Sequence, residues 1–261
     1  MATKVPRTSV KNSVSPPAKS SFNSSTLVRL LAELTTADVA GSKQSLAERL
    51  GLWLGWADAI SLSAALNGHS ARPPDTPAGM PLDAHAAAGQ VARVRAGLAR
   101  AIAAEGMFKA GKASVKRPPP APGAAIDDAV DFSPYRRCYA AHQRAMDASI
   151  SPLRAQVRTA LEGLSPALGR LAALDAALDK ILSERERSLL SSVPGLLEKR
   201  FERLHKAHQQ ALADPRAPDS PDPGRQPAGW LAVYCKDMQG VLLAELEIRL
   251  QPVEGLVDAM R

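Results

Sequence analysis

The segment Gly106-Met107-Phe108-Lys109-Ala110-Gly111-Lys112-Ala113 has the glycine and lysine spacing of a phosphate-binding loop. Such a loop holds magnesium through a Ser or Thr directly after the lysine, and it lies between a strand and a helix. Ala113 carries no hydroxyl, a helical pattern precedes the segment and a proline run follows it. The spacing therefore reads as a helix C-terminus, with glycine and lysine near its carbonyl end. Glu202, His205 and His208 fall at i, i+3 and i+6 and share a helical face. Di-iron bundles use Glu-x-x-His pairs on two helices with further Glu on two others. A single pair in a charged stretch reads instead as solvated surface. His69, His85 and His142 are scattered, and no Ser/His/Asp or Cys/His set assembles from spacing. The expectation is a protein that is not an enzyme, with no catalytic, cofactor-binding or metal-binding residue.

What the spacing favours is binding. Gly51 and Gly55 form a G-x-x-x-G step around Trp53, with Trp56 beside it, suited to a close helix crossing or a partner-binding face. Arg93 and Arg100 lie seven apart on one helical face, and Lys109, Lys112, Lys116 and Arg117 extend the basic tract. Lys and Arg at such positions can follow phosphates by releasing counterions. Phe108 is the one aromatic residue there that could stack on a base, so sequence-independent contact with a duplex is the most the tract supports. Leu243, Leu246, Leu250, Val253, Val257 and Met260 step by three and four, the seam of a coiled coil or bundle helix offered to a partner.

The elements that carry these residues are helical. The chain has 261 residues, 45% apolar but only 4% aromatic, and Ala and Leu supply most of the apolar content. Both residues lose little rotamer freedom in a helix. The expected class is all-α: an elongated helical bundle with coiled-coil-like helices, a disordered N-terminal tail and Pro-rich linkers. Residues 1–24 are basic, Ser- and Pro-rich and nearly devoid of apolar side chains, which predicts disorder. Residues 25–68 predict a helical pair, the first capped at Ser25 or Thr26 with the stripe Leu27, Leu30, Leu31 and Leu34, the second running from Ser45 to about Leu66. Residues 69–131 predict an Ala-rich, thinly packing helix from Leu82 to about Lys109 between flexible linkers. Residues 132–261 predict a bundle with breaks at Gly163-Leu164-Ser165-Pro166 and Ser192-Val193-Pro194, a Pro-rich linker at 214–227, and a kink or restart at Pro252.

The net charge is +7. Residues 1–25 carry +4 and residues 69–126 carry +5, so everything else sums to −2. That asymmetry suits nucleic acid, an acidic surface, or the solubility of flexible segments. Cys138 and Cys235 form neither a CxxC pair nor a disulfide framework, which points to a reducing compartment. The start of the chain lacks a secretory apolar run. The longest apolar stretch, Gly51 to Leu66, is 16 residues and holds Asp58, too short and polar to span a bilayer. A cytoplasmic protein is expected.

Phe132-x-x-Tyr135-Arg136-Arg137, Arg200-Phe201, Asp237-Met238, Leu242-Leu243-Ala244-Glu245-Leu246 and Arg249-Leu250-Gln251-Pro252-Val253-x-Gly255-Leu256 are similar to a bacterial family catalogued as a domain of unknown function. Its members look like the F component of the type III Zorya anti-phage defence system. The resemblance covers residues 26–67 and 132–261. It implies a cytosolic accessory that works beside a stator-like membrane motor and a second cytosolic accessory, and it transfers no active residue. The expected function is thus a non-enzymatic adaptor of a defence complex, acting through helix-mediated protein contacts, with Trp53, Trp56, Leu243, Leu246, Leu250 and Val253 at interfaces. The alternative is an accessory that binds invading DNA through Arg93, Arg100, Lys109, Lys112, Lys116 and Arg117. A homo-oligomer is compatible with either.

Overall fold

The computed structural model describes residues 25–35, 48, 51, 53–67, 82–108, 131–213 and 229–261. The described residues form seven α-helices and no strand: α1 (Thr26–Thr35), α2 (Trp56–Asn67), α3 (Ala84–Ala104), α4 (Ser133–Leu164), α5 (Pro166–Leu190), α6 (Val193–Ala213) and α7 (Gly229–Asp258). A short 3-10 turn at Gly106–Phe108 follows α3. The expected all-α class is what the structure shows.

Local chemistry sets several helix starts. The Ser25 hydroxyl accepts from the Val28 N–H at 3.4 Å and opens α1. Asp83 caps α3 by accepting from the Ala86 N–H at 2.6 Å. At the α4–α5 junction the Ser165 hydroxyl accepts from the Leu168 N–H at 3.2 Å, and Pro166 takes the first helical position, where its missing N–H costs nothing. The chain turns again at Ser191 and Ser192 before α6.

Two expected elements differ. The helix predicted over 45–66 is not continuous, because Leu54 and Gly55 are non-helical and α2 starts at Trp56. The Asp58 carboxylate accepts from the Gly55 N–H at 2.9 Å, the reciprocal half of a capping box with glycine at the cap. The G-x-x-x-G step therefore spans a helix boundary. Second, α7 runs through Pro252 without restarting. Pro252 is exposed, whereas Leu250, Val253, Leu256 and Val257 around it are buried. Their packing offsets the one hydrogen bond the proline removes.

Helix α7 is the axis of the molecule, with α1, α3, α4 and α6 against it. It buries residues on most of its circumference, from Trp230 and Tyr234 to Leu256 and Val257. One hydrophobic core takes in α1, α3, α4, α6 and α7. The Ala-rich α3 does not pack thinly: Ala87 is fully buried, Val91 and Ile102 nearly so, and small side chains let the helix lie close on α7 and α4. At one end of the core, Phe201 meets the rings of Phe132, Tyr135, Trp230 and Tyr234 at centroid distances of 5.0–5.5 Å, mostly tilted or edge-on. Offset and edge contacts of this kind add to the area that the rings bury. Helix α5 folds back on α4 and carries α2 on its other side.

Candidate functional site

Two regions stand apart from the apolar core: a polar network threaded through the bundle, and the surface around α2 and α5. The network begins at Glu245, an acid with no solvent exposure in the middle of α7. Its carboxylate accepts from the Tyr139 hydroxyl at 2.6 Å, from Gln143 Nε2 at 3.0 Å and from Arg249 Nε at 2.9 Å. Gln143 also donates to the Leu190 carbonyl, and Arg249 reaches Asp147 at 3.0 Å. A buried charge is tolerable only when paired and hydrogen-bonded, and each condition is met here. Burial, then the Glu245 charge, pushes the Tyr139 phenol far above its ordinary value, so it stays a neutral donor.

Between α4 and α5, Arg154 and Arg158 face Asp175 and Asp179, each pair one helical turn apart. The four bridges measure 2.5–2.8 Å. Burial works to raise the Asp175 carboxyl, but hydrogen bonds from Arg154 and Arg158 overrule it and hold it below the ordinary carboxylate value. Beside this quartet lies an open cleft of about 670 Å³ between α4, α5 and α7, with Asp179, Glu186 and Arg249 in its wall. Trp53 edges the cleft, with the Arg185 guanidinium 5.1 Å from its ring centroid, a cation–π contact.

Helix α2 has two faces. Leu62 and Ala65 are half-buried on the side toward α5. The opposite side presents Trp56 at 85% exposure and Ile60 at 55%, with Ala59, Ser63, Ala64 and Asn67 completing a shallow depression. Large apolar side chains clustered on a surface mark contact sites more often than single ones do. No described residue covers this face.

The expected interface residues therefore divide. Trp56 is at the surface and Trp53 is half-buried at the cleft. Leu246, Leu250 and Val253 lie in the chain's own core at 0–1% exposure, with Leu243 half-buried against it. The seam of α7 is consumed by α1, α3, α4 and α6 and is not open to a second protein. Arg93 and Arg100 are exposed on α3. Lys109, Lys112, Lys116 and Arg117 lie outside the described residues, as do residues 1–24 and the linker at 214–227. His205 and His208 sit against the Trp230 ring at 5.2 and 6.3 Å.

One cluster was not anticipated. Glu105, Cys138 and His142 each bring one metal-ligating atom within 4.8 Å of the other two. The Cys138–His142 spacing, one helical turn, was visible in the sequence, but Glu105 lies 33 positions upstream and only folding brings it close.

The model of a family described as "Protein of unknown function (DUF3348)" matches residues 14–261. The chain belongs to this family. No curated protein and no solved structure matches it. The DUF3348 span takes in every described helix, so the buried network, the α2 face and the Glu105 cluster all fall inside the family region. Among the described residues, no helix of this DUF3348 chain is long and apolar enough to cross a membrane.

Proposed function

We propose that this DUF3348 protein is a non-enzymatic, cytoplasmic accessory of a bacterial anti-phage defence complex, and that it docks a protein partner on the outward face of α2. The observation that carries this reading is the exposed pair Trp56 and Ile60, one turn apart on a helix whose other face is already engaged by α5. Trp is among the residues that most often anchor a protein contact. The defence setting rests on the resemblance to the type III Zorya F component, which supplies the partner classes: the stator-like motor and the second cytosolic accessory.

Trp56→Glu and Ile60→Glu, made in the intact operon, are expected to abolish co-purification with the motor or the second accessory and to remove phage protection. Retention of both would overturn the reading. Exposed Arg93 and Arg100 favour a second reading, non-specific DNA contact. Fluorescence anisotropy with duplex DNA at low and near-physiological salt tests it, since binding through phosphates falls steeply with salt and would drop in Arg93→Ala/Arg100→Ala.

A further inference from the structure

Glu105, Cys138 and His142 bring a carboxylate, a thiol and an imidazole together from two elements. Cys138 and His142 are successive-turn neighbours on α4. Glu105 is aimed at them by the break after α3: its backbone leaves the helix at φ −54°, ψ 124°, while its N–H still bonds the Ile102 carbonyl. The 3-10 turn that follows donates the Phe108 N–H to the Glu105 carbonyl at 3.0 Å, and Phe108 packs against the core. The Glu105 backbone is thus fixed on both sides, which sets where its side chain starts.

Within the cluster, His142 Nε2 is 3.5 Å from Glu105 Oε2, yet it is buried and makes no hydrogen bond among the described residues. Only 12% of the His142 side chain is exposed, against 37% for Glu105. A buried ring nitrogen that approaches a carboxylate without making a hydrogen bond to it leaves room for a group that would satisfy both. We propose that Glu105, Cys138 and His142 form a binding site for a divalent cation of the zinc class. This goes beyond the docking function and does not depend on it.

Thiolate, imidazole and carboxylate are the donors that zinc takes, at about 2.3, 2.0–2.1 and 2.0–2.2 Å respectively. Tetrahedral bonds of those lengths set neighbouring ligand atoms about 3.3–3.6 Å apart. The histidine–carboxylate separation already has that value, and the thiol lies within 4.8 Å of both, close enough for a side-chain adjustment to complete the set. Two negative ligands and one neutral one balance a dication. Calcium and magnesium, which demand oxygen ligands, are disfavoured by the sulfur and nitrogen. Burial, followed by the charges of Glu105 and Cys235, pushes the free Cys138 thiol up to about 11, so a cation must displace its proton on binding. Three protein ligands leave a fourth position, on the side where Glu105 meets solvent. Bound metal would pin the end of α3 to α4.

The test uses the full chain, reduced and stripped with a chelator, then titrated with Co²⁺ as a coloured stand-in for Zn²⁺. The expected result is one Co²⁺ per chain with a near-ultraviolet thiolate-to-cobalt band, displaced by one equivalent of Zn²⁺. Cys138→Ser should abolish the band, and His142→Gln and Glu105→Gln should each weaken Zn²⁺ binding at least about tenfold. Cys235→Ser should leave the cobalt band in place, because Cys235 is not among the three ligands. Glu105→Gln alters a half-exposed side chain and keeps the test valid if Cys138→Ser fails to fold. Absence of stoichiometric binding by the wild-type chain overturns the proposal. So does a cobalt band that survives Cys138→Ser, or Zn²⁺ affinity unmoved by Glu105→Gln and His142→Gln.

Discussion

Replacing Glu245 with Ala probes the centre of the molecule. The carboxylate has no solvent exposure and serves three donors, Tyr139, Gln143 and Arg249. After truncation Gln143 keeps the Leu190 carbonyl at 3.1 Å, and Arg249 keeps Asp147 at 3.0 Å. The groups left short are the Tyr139 hydroxyl and the Nε side of Arg249, whose side chain is only 8% exposed. An orphaned buried hydroxyl costs about 1–3 kcal/mol. Removing one partner of a buried ion pair costs about 3–5 kcal/mol. The two overlap in one cavity, and Asp147 still compensates part of the arginine charge, so the expected loss is about 3–5 kcal/mol in total. At about 2–4 °C per kcal/mol for a domain of this size, the melting temperature should fall by about 6–20 °C. Glu245→Gln preserves shape and one acceptor but turns an amide N–H₂ toward donors, and should cost about 1–3 kcal/mol. Urea unfolding followed by circular dichroism reads both. A loss below about 1 kcal/mol for Glu245→Ala, with an unchanged denaturant slope, would refute the claim that this network holds α4 against α7.

Asp175 makes a pH-dependent contribution. Its folded pKa lies below the unfolded one, so its stabilisation is fully present at neutral pH and is lost as pH falls through the folded value, below about 4. Asp175→Asn should cost about 1.5–3 kcal/mol at neutral pH and flatten the acid limb of a stability–pH profile. Phe201→Ala removes the ring that meets four others at 2% exposure, and should cost about 3–5 kcal/mol by urea unfolding. Trp56→Glu, by contrast, should shift stability by no more than about 0.5 kcal/mol, because the side chain touches little; a larger loss would mean that Trp56 supports the fold rather than a partner.

What the sequence by itself determined was local. Ser25, Ser165 and Pro166 mark helix ends because a cap or an N1 proline acts on backbone groups within three residues. The all-helical class followed from Ala and Leu in 3.6-residue periodicity. Periodicity shows that a face is apolar but not what covers it. The α7 stripe read as a seam for a partner, yet α1, α3, α4 and α6 fill it, since four helices must bury their own stripes somewhere. The end of the predicted second helix was right, but its interior broke at Gly55, where a short side chain three residues on could cap a new start. Tertiary structure alone decided that Glu245 is buried, because only donors from two helices make that burial affordable. It alone decided that Glu105 meets Cys138 and His142, because the distance between them along the chain is closed by packing and not by any local rule.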